Sequence, residues 1–399
     1  MRILLLAPAL ASMSTLASQA AEPAAAPINS GGIRIFGAVQ ESSAGNLCLS
    51  PFSIQSALAM TYAGASGGTA AQMREVLAFP EDPQELAAGF QALNQALEQA
   101  AARSGEDTSL RVANRLFGAK GFAFRPAFLE LCKTPFGAPL EAVDFRANPA
   151  AAARLINAWV EEKTARRIRD LIPAGALSEK TTLVLANALY LKIPWSEEFS
   201  KAGDIAFTTG AGGKVEAPAI RRTDSFRYEK QAGFTAVGVP FRGGQFQFLI
   251  LLPDPGADMP ALTADLLAAC AKLPTARVDL TLPKFRLEPP TLPLGETLQR
   301  LGMKAAFDIP RGSADFDAMA PRRPDDYLAI SDVFHKTFFA LDEMGVEAAA
   351  ATAVVMMRMS AMPVDEKPVE VVVDRPFLFA VQHVDSGACL FLGRLVDPR

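Results

Sequence analysis

Hydrophobic positions change their spacing part-way along the chain. Up to about residue 171 they recur every three or four residues, the period of one helix face. This spacing predicts two helices within residues 46–77, one over residues 86–101 and one over residues 151–171. Ser50 followed by Pro51 is a helix-start signal, and the glycines between residues 64 and 68 separate the first two helices.

Beyond residue 180 the apolar positions form short runs that are typical of buried strands. The runs are Thr182–Tyr190, Phe246–Leu252, Val278–Leu282, Val369–Val373 and Cys389–Gly393. No polar linker separates the helical half from the strand-rich half, and no internal repeat is present. Helices that precede strands in this way predict a single α+β domain.

Residues 343–360 fit neither pattern. Ala348–Ala351 favour a helix, whereas Thr352–Val355 favour a strand, and no charge occurs between Ala348 and Met357. Taken alone, the segment is typical of a buried core element. In an exposed loop such a segment would promote aggregation unless the fold provided a place for it.

Composition supports a globular protein and excludes some partners. The chain has 399 residues, of which 50% are hydrophobic and 21% charged, enough for a large core. Its net charge of −4 predicts neither a nucleic-acid partner nor an acidic membrane surface. No apolar stretch after the N-terminus is long enough to predict a membrane-spanning helix.

The N-terminus predicts export. Arg2 precedes an apolar run over residues 3–11, and the small residues Ser18 and Ala20 suit cleavage before Ala21. We therefore expect a signal peptide at residues 1–20, a low-complexity disordered leader at 21–30 and one domain at 31–399. The mature protein would be secreted, to the extracellular space or the periplasm.

Cysteine and histidine limit the candidate chemistry. Export permits disulfides, so the four cysteines are either two bridges or small buried hydrophobic residues. They are Cys48, Cys132, Cys270 and Cys389. With only two histidines in the chain, a zinc site has few ligands, and no cofactor is predicted.

Two other motifs have structural explanations. Residues 64–68 match the Gly-x-Ser-x-Gly motif of hydrolases, but that motif needs a strand before its serine, and here a helix is predicted. We interpret it as a turn that ends a helix. The cations Lys163, Arg166, Arg167 and Arg169 end a helix, where positive charge suits the helix dipole, and we expect a solvated helix end and not a polyanion site.

Ordered blocks of sequence resemble the serpin family from about residue 46 to residue 398. The blocks are Asn46–Ile54, Ala113–Phe117, Ile156–Val160, Leu185–Tyr190 with Lys192 and Trp195, Leu282–Phe285, Ser331–Lys336, Asp374–Phe379 and Leu390–Arg394. The resemblance implies about nine helices, three β-sheets and an exposed reactive-centre loop. It also implies a suicide inhibitor of serine proteases, although some members inhibit cysteine proteases and some inhibit nothing.

In the family the scissile bond lies fourteen residues beyond a hinge glycine. Counting from Gly345 places the bond between Met359 and Ser360. Methionine before the bond suits elastase-, chymotrypsin- or subtilisin-like proteases. A shift of one residue would place Arg358 there and favour a trypsin-like target. The alternative class is a non-inhibitory serpin that acts as a carrier or storage protein.

The resemblance also assigns roles to residues that control loop insertion. The hinge comprises Glu343, Gly345, Val346, Glu347, Ala348, Ala349, Ala350, Ala351 and Thr352. In a strand, Val346, Ala348, Ala350 and Thr352 would share one uncharged face. Glu343 is expected to pair with Lys284 near Trp195 where the loop enters the sheet.

A polar cluster is implied beneath the strands that part. Its members are Ser50, Ser53, Asn187 and His335. The chain departs from the family at Arg166-Arg167, where many members have Gly-Lys. The helix over residues 86–101 lacks the basic stripe of heparin-activated serpins, so activation by heparin is not predicted, and we expect a monomer.

Overall fold

The structure, a computed structural model, describes residues 9–323, 327–347 and 367–399, with side chains from Ala24 onward. Eight α-helices and one short 3₁₀ helix (Ala305–Phe307) occur in these ranges. The α-helices are α1 (Ala9–Gln40), α2 (Pro51–Tyr62), α3 (Gly67–Leu77), α4 (Pro83–Arg103), α5 (Pro126–Phe136), α6 (Pro149–Lys163), α7 (Ala264–Cys270) and α8 (Gly295–Arg300).

Three of these helices begin with the same pair of signals. A polar residue caps the N-terminus through its side-chain oxygen, and proline follows in the first turn. The capping residues are Ser50 for α2, Asp82 for α4 and Asn148 for α6. Each cap satisfies a backbone N–H that the helix leaves unpaired, and proline has no N–H to satisfy. The predicted start of α2 is therefore confirmed.

Seventeen strands are described. They are β1 (Leu47–Leu49), β2 (Ser109–Ala119), β3 (Leu140–Val143), β4 (Leu183–Pro194), β5 (Ser200–Thr208), β6 (Lys214–Gln231), β7 (Phe234–Pro240), β8 (Phe246–Pro253), β9 (Thr275–Pro283), β10 (Phe285–Leu287), β11 (Leu292–Pro293), β12 (Phe334–His335), β13 (Phe339–Leu341), β14 (Gly345–Val346), β15 (Val369–Val372), β16 (Phe377–His383) and β17 (Cys389–Leu395).

The strands form three sheets, which confirms the predicted α+β fold. A nine-stranded sheet has the order β1-β17-β16-β8-β7-β6-β9-β15, with β5 paired to β6. A six-stranded sheet has the order β10-β13-β14-β4-β2-β3, and β11 pairs with β12. The two large sheets pack through aromatic rings: Phe339 of β13 lies 6.1 Å from Phe248 of β8 and 5.0 Å from Phe379 of β16, between ring centroids.

The N-terminal helix differs from the expected disordered leader. From Ala24 onward the leader is part of α1, and Ala24, Ala25 and Ile28 are buried. Alanine has the highest helix propensity, and its small side chain permits close packing. A Cβ built on Gly89 of α4 would lie 3.3 Å from the Cβ of Ala24, so the two helices touch here. The packed domain therefore begins before residue 31.

The Gly-x-Ser-x-Gly motif lies between two helices. α2 ends at Tyr62 and α3 begins at Gly67, so a helix and not a strand precedes Ser66. Ser66 is the capping residue of α3, and its backbone N–H donates to the carbonyl of Asp315. The interpretation of this motif as a turn is confirmed.

Candidate functional site

The six-stranded sheet is parted along its middle. β13 and β4 are both antiparallel to β14, so they run parallel to each other on either side of it. In the part of the chain that the structure describes, no ladder joins β4 directly to β12 or β13. We call this gap the slot, with an upper end at Ile193 and Leu341 and a lower end at Leu183 and Ser331.

The upper end of the slot is filled by the start of the hinge. Asp342 N donates to the carbonyl of Gly345 (3.1 Å), which closes a tight hairpin, and Trp195 N donates to the carbonyl of Met344 (2.9 Å). Gly345 has φ +148°, and a Cβ there would lie 2.2 Å from the carbonyl oxygen of Ile193. Only glycine fits this position.

Val346 is the first loop side chain in the slot. It pairs with Ile193 on one side and Leu341 on the other, and it is 2% exposed. The strand-face assignment from the sequence placed Val346 on the uncharged face, and the structure has this side chain in the core. The next residue, Glu347, donates its N–H to the carbonyl of Ala340 (2.9 Å).

An ion pair and an aromatic cluster flank the hairpin. Lys284 Nζ donates to Glu343 Oε1 at 3.0 Å, the contact that the resemblance implies. Burial would raise the pKa of Glu343, but a backbone hydrogen bond and Lys284 outweigh it and hold the pKa below its ordinary value. Trp195 donates from Nε1 to the carbonyl of Asp342 (2.9 Å) and stacks on Phe241 at 4.7 Å.

The four residues expected in the polar cluster are in contact. Ser50 N donates to His335 Nε2 (3.0 Å), and Ser53 N donates to Ser50 Oγ (3.1 Å). Ser53 Oγ donates to Asn187 Oδ1, and Asn187 Nδ2 donates to Asn114 Oδ1. Burial lowers the pKa of His335 to about 3, so the imidazole is neutral and can accept the bond from Ser50.

Asn114 is a member of this cluster that sequence reasoning missed. It belongs to one of the blocks that carry the resemblance, but nothing in its local sequence indicates a partner. The signal was its strand pairing, because Asn114 on β2 lies directly opposite Asn187 on β4. A correct prediction of the β2–β4 register would have indicated that Asn114 and Asn187 are neighbours.

A cavity of about 330 Å³ occupies the lower half of the slot. Its walls come from β4, from the chain around residues 327–335 and from α2. They include Leu183, Leu185 and Asn187 on one side, Val333 and His335 on the other, and Ser53 below. The lower half of the slot therefore has room between its strands.

Arg167 is 41% exposed, as expected for a cation at a helix end, but it also has partners that its sequence position does not indicate. Its Nε donates to the carboxylate of Glu347, and its guanidinium lies 5.1 Å from the ring centroid of Phe338. The Glu347 side chain is 8% exposed and also interacts with the Tyr190 hydroxyl. Arg169 likewise pairs with Glu161 at 3.1 Å. Proximity in sequence to a helix end gave no sign of these partners.

Several site residues that were predicted from the sequence lie outside the described residues. These are hinge residues Ala348, Ala349, Ala350, Ala351 and Thr352 and the candidate cleavage residues Arg358, Met359 and Ser360. All four cysteines are described; they are buried and unpaired, which favours small buried residues over two bridges. Burial raises the pKa of Cys48, Cys132 and Cys270 to about 12.

Neither a metal cluster nor a membrane span is found within residues 9–323, 327–347 and 367–399. No group of three or more histidine, cysteine, aspartate or glutamate side chains there could hold a metal ion. No helix in the same ranges combines the length and hydropathy needed to cross a bilayer.

The sequence matches the family described as Serpin (serine protease inhibitor) over residues 27–398, and the chain belongs to this family. A leukocyte elastase inhibitor from Bos taurus is 36% identical over 374 residues, covering 90% of this chain and 95% of the relative. An uncharacterized serpin-like protein from Thermococcus kodakarensis is 37% identical over 360 residues, covering 89% of this chain and 81% of the relative.

The fold matches solved serpins. A structure titled Cleaved Serpin 42Da superposes with a TM-score of 0.79 at 28% identity, covering 95% of this chain and all of that one. Serpins are mostly protease inhibitors and not enzymes. The parted sheet, its hinge and the polar cluster therefore belong to a protein class whose usual activity is protease inhibition.

Proposed function

We propose that this chain is a suicide-substrate inhibitor of serine endopeptidases that inserts its cleaved loop into the slot. The protease would attack the carbonyl of Met359 and form an acyl-enzyme, as with an ordinary substrate. The freed loop would then continue the strand that Gly345 and Val346 begin. Insertion would carry the attached protease away and trap the covalent complex. The observation that carries this proposal is the parted sheet with the hinge already at its upper end.

Strand register supports the insertion of the remaining hinge residues. Val346 pairs with Ile193 and Leu341. Thr352 lies six residues beyond Val346, while Asn187 and His335 lie six residues before Ile193 and Leu341. A regular antiparallel strand would therefore bring the Thr352 hydroxyl between these two polar side chains. The one hydroxyl in the hinge would meet the polar cluster.

The length of β4 matches the length of the loop from Val346 to Met356. Ten residue steps separate Ile193 from Leu183, and ten separate Val346 from Met356. At about 3.3 Å per residue, the inserted strand would extend about 33 Å down the slot. About ten new backbone hydrogen bonds at about 1 kcal/mol each would favour insertion by about 10 kcal/mol. That gain is similar to the whole stability of an ordinary domain.

The target class rests on the residue before the bond and on one relative. Methionine suits the apolar pockets of elastase-, chymotrypsin- and subtilisin-like proteases. The similarity to a leukocyte elastase inhibitor is compatible with this choice. Cleavage after Arg358 by a trypsin-like protease is the alternative.

The experiment is incubation of the protein with an elastase, a chymotrypsin and a trypsin, followed by denaturing electrophoresis and mass spectrometry. With the elastase we expect a band at the summed mass of inhibitor and protease less that of the C-terminal peptide, because cleavage releases a peptide that begins at Ser360. A complex with trypsin and a peptide that begins at Met359 would reassign the target. Cleavage without any complex would support a non-inhibitory carrier and contradict the proposal.

We also propose that residues 1–20 are removed on export. Cleavage before Ala21 would keep every side-chain contact described for α1, because side chains are described from Ala24 onward. The test is N-terminal sequencing of protein recovered from the culture medium of an expressing cell. Recovery only inside the cell, with Met1 or Arg2 at its N-terminus, would contradict export.

A further inference from the structure

We propose that Arg167 is a positioning residue that holds the hinge at the first step of insertion by serving as the counter-ion of Glu347. The importance of this contact for inhibition rests on the proposed function. The contact itself is a property of the uncleaved protein and can be tested without a protease. Arg167 lies in the segment where this chain departs from many serpins, and no role followed from its sequence position.

Glu347 is placed where a carboxylate needs a partner. Its side chain is 8% exposed, and Arg167, Tyr190 and Lys192 are the charged or titratable groups that face it. Burial raises its pKa, and these three groups lower it without cancelling that effect. An ionised Glu347 without Arg167 would therefore be a buried charge with too few partners, which is strongly unfavourable.

The backbone of Glu347 shows why this contact belongs to an arrested state. Its φ is +51°, in the left-handed region that non-glycine residues rarely adopt. Val346 before it is in the sheet, whereas continuation of the strand would need φ near about −120° at Glu347. We expect that rotation to change the position of the carboxylate relative to Arg167, so the present ion-pair geometry belongs to the state in which insertion stops at Val346.

Arg167 itself is held in place by its surroundings. Its guanidinium stacks on Phe338, whose ring also lies 4.9 Å from the guanidinium carbon of Arg286. Hydrogen bonding to Glu347 raises the pKa of Arg167, so the positive charge is retained. Because Arg167 is 41% exposed, its replacement should not disturb the core. It can be changed with little risk to folding.

The experiment compares hydrogen–deuterium exchange at the amides of Asp342 and Glu347 in uncleaved variants. These amides donate to Gly345 and Ala340 only while the hinge is inserted. In Arg167→Met we expect exchange at least about tenfold faster, because the unpaired carboxylate leaves its site. Glu347→Gln should exchange no faster than the wild type. The double variant should return to within about threefold of it, because no buried charge remains.

A pH series separates this role from a merely structural one. The chain with Arg167→Met should regain slow exchange, after correction for intrinsic rates, when the pH falls from neutral to about 5, because a protonated Glu347 needs no counter-ion. Arg166→Met is the matched control, since Arg166 is the exposed neighbouring cation. Arg167→Lys, which keeps the charge, should lie between the wild type and Arg167→Met.

The proposal is overturned if Arg167→Met exchanges like Arg166→Met, or if Glu347→Gln fails to rescue it. Failure of the proposed function would look different. In that case the wild type would form no covalent complex with any protease, while the exchange pattern of these variants would still be observed.

Discussion

The two ends of the slot differ in what lies between β4 and the chain opposite it, residues 331–341. At the upper end a strand of two residues completes the ladder, and Val346 packs into the core. At the lower end a cavity and the buried polar cluster lie between the strands. The upper end is therefore occupied by the backbone of β14, whereas the lower end has room for a further strand.

This difference bears on the entropic cost of ordering the first residues of an inserted strand. Addition of a strand is hardest at its first residues, which must be ordered before many hydrogen bonds form. Here the first two residues are already paired. Later residues of the loop would gain backbone hydrogen bonds to one neighbouring strand and to the other in alternation, while the polar cluster would have to rearrange or accept a new partner. On the proposed mechanism, the upper end would start insertion and the lower end would control how far it proceeds.

The largest effect should follow from a charge at the upper end. Val346→Arg would place a guanidinium on the face that packs into the core, at a cost of several kcal/mol. We expect cleavage without trapping, with the ratio of complex to cleaved inhibitor at least about a hundredfold lower. Denaturing electrophoresis after incubation with the elastase measures this ratio. Val346→Thr, which keeps the β-branched shape, is the control and should still form complex.

Retention of the complex by Val346→Arg would contradict the assignment of Val346 as the first inserted side chain. Loss of the complex in both variants would instead show that this position tolerates no change. Insertion of an uncharged face is supported only if Val346→Arg loses the complex and Val346→Thr keeps it.

The second prediction concerns the lower end. Asn187→Ala removes the acceptor for Ser53 and the donor to Asn114, leaving buried polar groups without partners. We expect the free energy of unfolding to fall by about 2–4 kcal/mol. Asn46→Ala is the control, since Asn46 bonds to residues 396 and 397 away from the slot.

The two asparagine variants should differ in a second measurement. On warming, uncleaved Asn187→Ala should convert into a form that no longer inhibits. Its conversion should be faster than that of Asn46→Ala when the two are compared under conditions that give them the same free energy of unfolding. Urea unfolding gives the stability, and residual inhibition over time gives the conversion rate. Equal conversion rates would mean that the polar cluster supports the fold without controlling the slot.

The third prediction concerns pH. Burial holds the pKa of His335 at about 3, below the ordinary value of 6.5. The unfolded chain therefore binds a proton that the native protein lacks, and stability falls as the pH drops from about 6.5 toward 3. At pH 5 the loss from His335 should be about 2 kcal/mol. His335→Gln keeps an acceptor for Ser50 and should make this pH dependence shallower.

His383 provides the matched control for His335. Burial lowers its pKa to about 4, and it lies on β16 in the nine-stranded sheet, away from the slot. Urea unfolding at pH 7 and pH 5 should show a shallower pH dependence for His383→Gln as well. Only His335→Gln should also change the rate at which the warmed protein loses inhibition. A change in that rate for His383→Gln would contradict a special role of the lower end.

Sequence patterns predicted the elements, because these depend on neighbouring residues. The strand runs and the Ser50 cap follow from local spacing, and the structure has them. The resemblance assigned the hinge, of which the structure describes residues 343–347. The resemblance supplied the long-range pair of Lys284 with Glu343, which no local pattern contains.

The errors have a physical reason in common. Composition predicts that residues 21–30 are disordered, yet from Ala24 onward they pack as a helix because α4 offers a close surface at Gly89. Arg167 is exposed as expected, but its position gives no sign of Glu347, which lies against it from 180 residues further along the chain. In both cases the partner is distant in sequence, so the outcome depends on tertiary contacts that composition and spacing do not encode.

The smallest expected effect is that of the partly exposed ion pair beside the hairpin. The side chains of Lys284 and Glu343 are 34% and 17% exposed. The hairpin that contains Glu343 is also held by backbone hydrogen bonds, one of them from Trp195 N. Lys284→Met should lower the free energy of unfolding by at most about 1 kcal/mol, and by less at high salt. Urea unfolding at two salt concentrations measures this, with Lys230→Met, which breaks an exposed pair with Asp254, as the control. A loss as large as that of Asn187→Ala would mean that the upper end depends on this charge pair and not on the backbone of the hinge.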